Sequence, residues 1–370
     1  LRLKLLVFGG WFGSGNVGDD AILTGVRDIF ARAAPKAEMV ALSTDPAQTR
    51  SICGVESFRL RSPREYLIRG YGVFEGVDAV LVTGGTPFYD WDHASRLIHM
   101  GLARRGIPFA CFGVGAKRID SPHGRWLTHL LASNAVRVSA RDPISQRRLG
   151  SLIDGVSLTG DSALYMEPSP QHVALEKAGV EPGDEFVAIC PRALSPQHRA
   201  HYHDPVPSSL IASIRQNTAR LADRFLAEGR RVVFLSMHRS PGDDDSRETG
   251  EITGLMEGTP LVVNEPLSPR VTAALLGSAS LVVGLRLHSL ILAACRGIPV
   301  ISVGYDDKIR GFMEYAGVPD CVVEPGELPG KASVLVRDDG VGDLLRESCA
   351  AMRRRVEEEA AAVAEAFGLR

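Results

Sequence analysis

The sequence carries almost no net charge: 42 basic residues against 44 acidic ones leave a formal −2. That balance excludes a global field for nucleic acid or an anionic membrane, although it permits a local basic pocket. Paired cysteine spacings are also missing. Cys53, Cys111, Cys190, Cys295, Cys321 and Cys349 lie scattered, several of them in apolar runs. They read as reduced cysteines of a cytoplasmic protein rather than as a disulfide or zinc framework. No apolar run approaches the length of a membrane span, and the first one is broken at Gly9 and Gly10. Disorder is excluded by a composition of 45% hydrophobic and 23% charged residues.

What is present is an alternation. Short apolar runs at residues 3–8, 39–43, 77–83, 107–112 and 136–139 end at glycine or polar turns, with helical periodicity at 19–32, 96–105 and 127–135. The pattern restarts with runs at 185–189, 231–236, 281–284 and 299–303, interleaved with helical segments at 208–228, 270–277 and 289–296. Alternating strands and helices specify parallel sheets with helices on both faces. At 370 residues the chain exceeds one ordinary core. The expectation is an α/β protein of two Rossmann-like domains facing a cleft, residues 1–167 and 184–340. The prolines and glycine between Met166 and Asp184 mark the boundary, and residues 341–370 form a C-terminal helix.

Strand ends are where such folds bind ligands. Arg192, His238, Arg286, His288 and Lys308 each follow an apolar run, so the fold should bring them toward one crevice. Arginine supplies a rigid fork for carboxylate or phosphate, lysine a point charge, and histidine a proton near neutral pH. That set points to an enzyme acting on an anionic small molecule.

Other motifs carry less. Gly13-Ser14-Gly15-Asn16-Val17-Gly18 has dinucleotide-type glycine spacing, with Glu38 about 20 residues on. Yet Gly9 to Phe12 separate it from the strand, and Asp19 and Asp20 would compete with a pyrophosphate for the helix N-terminus. It reads better as a flexible wall of the interdomain cleft, with a glycine turn capped by Asp19 or Asp20 as the plain alternative. Gly84 and Gly85 permit close approach of backbone to ligand, while Asp90, Asp92 and Asp142 offer carboxylates near strand ends. His198, His201 and His203 have no clear fourth ligand. They suggest a mobile acceptor-side loop or a polar surface, not zinc. Asp243, Asp244 and Asp245 look like a solvated turn.

Taken in order, GSGNVGDDAIL (13–23), VTGG (82–85), SARD (139–142), LTGD (158–161), FLSMH (234–238), GLRLH (284–288) and YDDKIRG (305–311) resemble the polysaccharide pyruvyl transferase family across most of the chain. The resemblance implies a GT-B-like fold and transfer of pyruvate from phosphoenolpyruvate to two hydroxyls of a sugar or glycan precursor, with release of phosphate. It makes His288 the candidate acid and Arg286 its catalytic companion. Arg192, Arg286, Lys308 and His238 become the donor-binding set, on the C-terminal domain. Gly15, Asn16, Asp19, Gly85, Asp90 and Asp142 become the acceptor-side residues. No cofactor and no metal are required, since the cations can manage the donor's charge. The expected location is the cytoplasm, at the inner face of the membrane if the substrate is lipid-linked; the sequence shows no anchor. The departure is at Thr86, where many relatives have a third glycine, so an altered acceptor-side wall is expected. Two other readings use the same residues: a GT-B-type glycosyltransferase using a nucleotide sugar, and a non-catalytic glycan-precursor binding protein.

Overall fold

A computed structural model describes residues 3–59, 74–90, 106–196, 205–336 and 338–369. The helix expected at 96–105, Asp92, and His198, His201 and His203 lie outside the described residues. The chain divides into two compact units. The first holds residues 1–14, 19–166 and 351–370, and the second holds 15–18 and 167–350.

In the first unit, β1 (Lys4–Phe8), β2 (Glu38–Ser43), β3 (Glu56–Arg59), β4 (Ala79–Val82), β5 (Phe109–Val114), β6 (Arg137–Ala140) and β7 (Ser157–Leu158) form one sheet in the order β3-β2-β1-β4-β5-β6-β7. Every pairing is parallel. Its central strands are buried along their whole length, as a sheet covered on both faces requires. Leu6, Phe8, Val40, Leu42, Val80, Val82, Cys111 and Val114 make the centre of one core cluster. Each large apolar side chain so buried contributes roughly 1.5–3 kcal/mol. The long helix Asp339–Ala366 lends this unit its last turns, with Met352, Val356, Ala360, Val363 and Ala364 buried at helical spacing. Arg137 fixes it to β6 through a bidentate pair with the buried Glu359, at 2.9 and 2.8 Å.

The second unit contains β8 (Phe186–Cys190), β9 (Arg231–Leu235), β12 (Leu261–Val263), β13 (Leu281–Gly284), β14 (Val300–Val303) and β15 (Val322–Val323), in the order β12-β9-β8-β13-β14-β15. All its pairings are parallel as well. Between β9 and β12 a short antiparallel hairpin, β10 (Arg239–Ser240) with β11 (Asp243–Asp244), leads into the helix Asp245–Thr253. These two parallel, helix-flanked sheets are the Rossmann-like halves of a GT-B-like chain. Strand order reverses direction between β1 and β4 in one sheet, and between β8 and β13 in the other. Such switch points open a crevice beyond the strands' carboxyl ends.

Candidate active site

The register of the second sheet sets the site. Cys190 on β8 pairs with Gly284 on β13, so the two strands end side by side at the switch point. Arg192 and Arg286 each lie two residues past that pair. His288 opens the helix Leu287–Ala294, His238 follows β9, and Lys308 stands in the first turn of the helix Asp307–Tyr315 after β14. The structure therefore gathers Arg192, His238, Arg286, His288 and Lys308 at one sheet edge.

Arg192 is buried, and its Nη1 donates to the Tyr305 hydroxyl at 2.9 Å and to Asp306 at 3.5 Å. Its guanidinium carbon also lies 5.5 Å from the centre of the Tyr305 ring. Tyr305 in turn donates to the Leu285 carbonyl, beside Arg286. Burial lowers the basicity of Arg192, but Tyr305 and Asp306 outweigh it against the opposing charge of Arg286, and the guanidinium ends above its ordinary value. Burial likewise pushes the Tyr305 hydroxyl up, against Arg192. Lys308 Nζ lies 3.5 Å from Asp306, whose other oxygen caps the helix by accepting from Lys308 N at 3.1 Å.

Arg286 is held more firmly. Its Nε donates to Asp245 at 3.0 Å, and its Nη2 donates to both Asp243 and Asp245 at 2.7 Å. Nη1 makes only a 3.4 Å contact with Asp243. Asp245 is fully buried and also accepts from Ala193 N at 3.1 Å. The second oxygen of Asp243 lies 2.9 Å from His238 Nδ1. Burial raises the Asp243 carboxyl, yet His238 and Arg286 together hold it well below the usual carboxylate range. Against burial, Asp245 and Asp243 raise the Arg286 guanidinium further. The expected solvated turn at 243–245 is thus corrected: two of its carboxylates are the anchors of Arg286 and His238. The sequence offered no sign of this, because hairpin and arginine are about 40 residues apart and joined only by the sheet.

Gly15, Asn16, Val17 and Gly18 belong to this same unit. Val17 N donates to the Met237 carbonyl at 3.0 Å and Arg239 N to the Gly15 carbonyl at 3.1 Å, so the loop is strand-paired across His238. Gly15 has φ +80°, and a β-carbon there would meet the Arg239 carbonyl at 2.5 Å. Gly18 packs directly on the His288 ring. Asn16, rather than Asp19 or Asp20, caps the following helix: its Oδ1 accepts from Gly18 N at 3.0 Å. Asp20 instead accepts from Gly13 N at 3.0 Å.

The remaining acceptor-side candidates lie in the first unit. Asp19 is buried in the first turn of the helix Val17–Ala33. The Gly85 carbonyl accepts from Gly115 N at 3.2 Å. Asp90 accepts from Asp120 N at 2.8 Å and from Ser121 Oγ at 2.7 Å, which ties two loops together. Asp142 caps the helix Pro143–Gly150 by accepting from Ser145 N and Oγ, each at 2.8 Å. Beside it the buried Arg141 donates to Asp161 at 3.2 Å and to Thr86 Oγ1 at 3.4 Å. The departure from the triple-glycine pattern therefore adds a hydroxyl that a third glycine lacks, and it engages this arginine. No group of three or more His, Cys, Asp or Glu with metal-binding geometry occurs among the described residues.

Comparison with known proteins locates the chain. The family model described as "Polysaccharide pyruvyl transferase" matches residues 16–307, which include every residue of the second-unit cluster except Gly15 and Lys308. The amylovoran biosynthesis protein AmsJ of Erwinia amylovora is 30% identical over 98 residues, or 26% of this chain and 23% of that protein. The match thus spans about a quarter of that relative. A putative UDP-N-acetylglucosamine 2-epimerase from Listeria monocytogenes superposes with a TM-score of 0.67 at 14% identity, covering 99% of this chain and 97% of the other. The UDP-GlcNAc 2-epimerase of Neisseria meningitidis, solved with UDP-GlcNAc, gives 0.64 at 15% identity over 98% and 99% of the two chains. At those identities the likeness is one of fold.

Proposed function

The chain belongs to the polysaccharide pyruvyl transferase family, and from that premise we propose that it moves pyruvate from phosphoenolpyruvate to two hydroxyls of a sugar or glycan precursor and releases phosphate. The observation that carries the reading is the pair of cations flanking the switch point, Arg192 and Arg286, with His288 two residues beyond Arg286 and Lys308 on the next strand's exit. Phosphoenolpyruvate carries a carboxylate and a phosphate, and needs several convergent cations. Arg192, Lys308 and the outer nitrogen of Arg286 meet those anions, and His238 lines the same edge.

The reaction follows from charge and proton bookkeeping. His288 gives a proton to the donor's methylene carbon, which leaves positive character at C2 for a sugar hydroxyl to attack. The cations then offset charge on phosphate as its C–O bond breaks, and the second hydroxyl closes the cyclic ketal. One hydroxyl proton replaces that lost by His288, and the other leaves on phosphate. Gly15, Asn16, Asp19, Gly85, Asp90 and Asp142 are proposed on the acceptor side. Asp90 and Asp142, whose oxygens already serve neighbouring loops and helices, act there by shaping the wall. The donor is a cytoplasmic metabolite, so the reaction belongs in the cytoplasm, at the inner membrane face where the acceptor is lipid-linked. No helix among the described residues is long and apolar enough to cross a membrane.

The test is phosphate release from phosphoenolpyruvate across a panel of sugars, nucleotide sugars and lipid-linked sugars, with mass analysis. An acceptor that gains one pyruvic acid less one water, with the gain abolished by His288→Ala, is the expected result. A chain that binds no phosphoenolpyruvate, but turns over a nucleotide sugar, would replace this reading with glycosyl transfer.

A further inference from the structure

Arg286 presents an electrostatic contradiction. A guanidinium meant for an anionic donor has its Nε and Nη2 occupied by two carboxylates of its own chain. One cation and two carboxylates sum to a net negative charge, and they sit where a multiply charged anion is to bind. For simple affinity the carboxylates are adverse. Their geometry serves orientation instead. Asp245 grips the Nε edge, Asp243 grips Nη2, and the planar fork cannot rotate.

The same Asp243 carboxylate reaches His238. An ionised carboxylate only accepts, so His238 Nδ1 donates to it, and Nε2 becomes the acceptor of the neutral ring. That Nε2 is buried and has no hydrogen-bond partner among the described residues, in a side chain about nine-tenths buried. A buried nitrogen without a protein partner is costly unless a ligand engages it. Asp243 thus bears on both the plane of Arg286 and the tautomer of His238.

We propose that Asp243, seconded by Asp245, is a positioning residue of the donor site: it trades donor affinity for the alignment of Arg286 and of His238 Nε2. This rests on the pyruvyl-transfer reading. The trade is the kind that raises turnover rather than ground-state binding, and it gives a signature opposite to ordinary damage. Asp243→Asn removes one negative charge while Asp245 still holds Arg286. Affinity for phosphoenolpyruvate, and for inorganic phosphate as inhibitor, should tighten by about 10-fold, while kcat falls by about 10- to 100-fold as alignment loosens.

The experiment measures phosphoenolpyruvate binding by calorimetry, kcat and KM by phosphate release, and the thermal midpoint, for the wild-type chain, Asp243→Asn and His238→Asn. The asparagine at 238 keeps a donor for Asp243 and deletes Nε2, so it should lose kcat by about 10-fold or more with its fold intact. Tighter donor binding with slower turnover in Asp243→Asn supports the proposal, and weaker binding or an unchanged kcat overturns it. Should Asp243→Asn not fold, His238→Asn decides alone: unchanged turnover overturns the role and a folded, slow enzyme supports it. A wild-type chain that neither binds phosphoenolpyruvate nor releases phosphate from it removes the pyruvyl reading itself. Wild-type turnover with both variants unaffected removes only the positioning role.

Discussion

A β-carbon at position 18 would lie 2.1 Å from Nδ1 of His288, closer than any real contact. Gly18→Ala must therefore push the imidazole aside, while alanine suits the first turn of a helix better than glycine. The expected outcome is a thermal midpoint close to wild type with kcat reduced about 100-fold, read by phosphate release beside a melting curve. Asp243 gives a pH prediction at the same scale. Its carboxyl is depressed in the fold, so the stabilisation it gives is complete above the ordinary value of 3.8 and is lost as pH falls through and below it. The midpoint difference between wild type and Asp243→Asn should be flat from neutral pH to about 5 and shrink below 3.8. Cys111 and Cys190 are buried in strands, and burial pushes their thiols up to about 12. Neither should react with an alkylating reagent at pH 8 until the chain unfolds, as peptide mass mapping would show. Cations and imidazoles were legible in the sequence because each follows an apolar run. The carboxylates that hold them were not, since an aspartate triplet after Pro-Gly has the composition of a solvated turn whether or not a distant arginine folds against it.

Among the elements, the long buried strands were readable from their apolar runs, and so was the long helix at 208–227. The ones not foreseen are short or lie at sheet edges. β3 has the sequence ESFR with three exposed residues, and β12 is three residues long, so neither shows a run or an alternation. The helix Pro46–Cys53 was also missed, although its Asp45 accepts from Ala47 N and Gln48 N ahead of a first-turn proline, a start signal present in the sequence. At this scale the helix Asp339–Ala366 makes the testable claim. Arg137→Ala strips the buried Glu359 of its bidentate partner and leaves it the Ser157 hydroxyl at 3.2 Å. A loss of roughly 1–3 kcal/mol is expected. A urea unfolding series would measure it.

For the whole molecule, the alternating pattern announced two parallel sheets. It did not announce that the units are built from interleaved stretches of chain, because helical periodicity in residues 339–366 says which face is apolar and not which core receives it. Glu359 of this helix is tied to Arg137 on β6 and to Ser157 on β7. Deleting residues 351–370 should therefore raise amide hydrogen exchange in those two strands, while on the pyruvyl-transfer reading calorimetry still detects phosphoenolpyruvate on the second unit. Exchange unchanged by the deletion would show that the first core closes without the helix.

The interleaving also has a temporal side. A ribosome completes residues 167–350 before it makes 351–370, so the unit begun first is the one finished last. During that interval the pocket awaiting Met352 and Val356, beside Gly160 and Leu164, is exposed on a nascent chain whose later half is already able to fold. The newborn protein's need for chaperones should accordingly concentrate on its amino-terminal half.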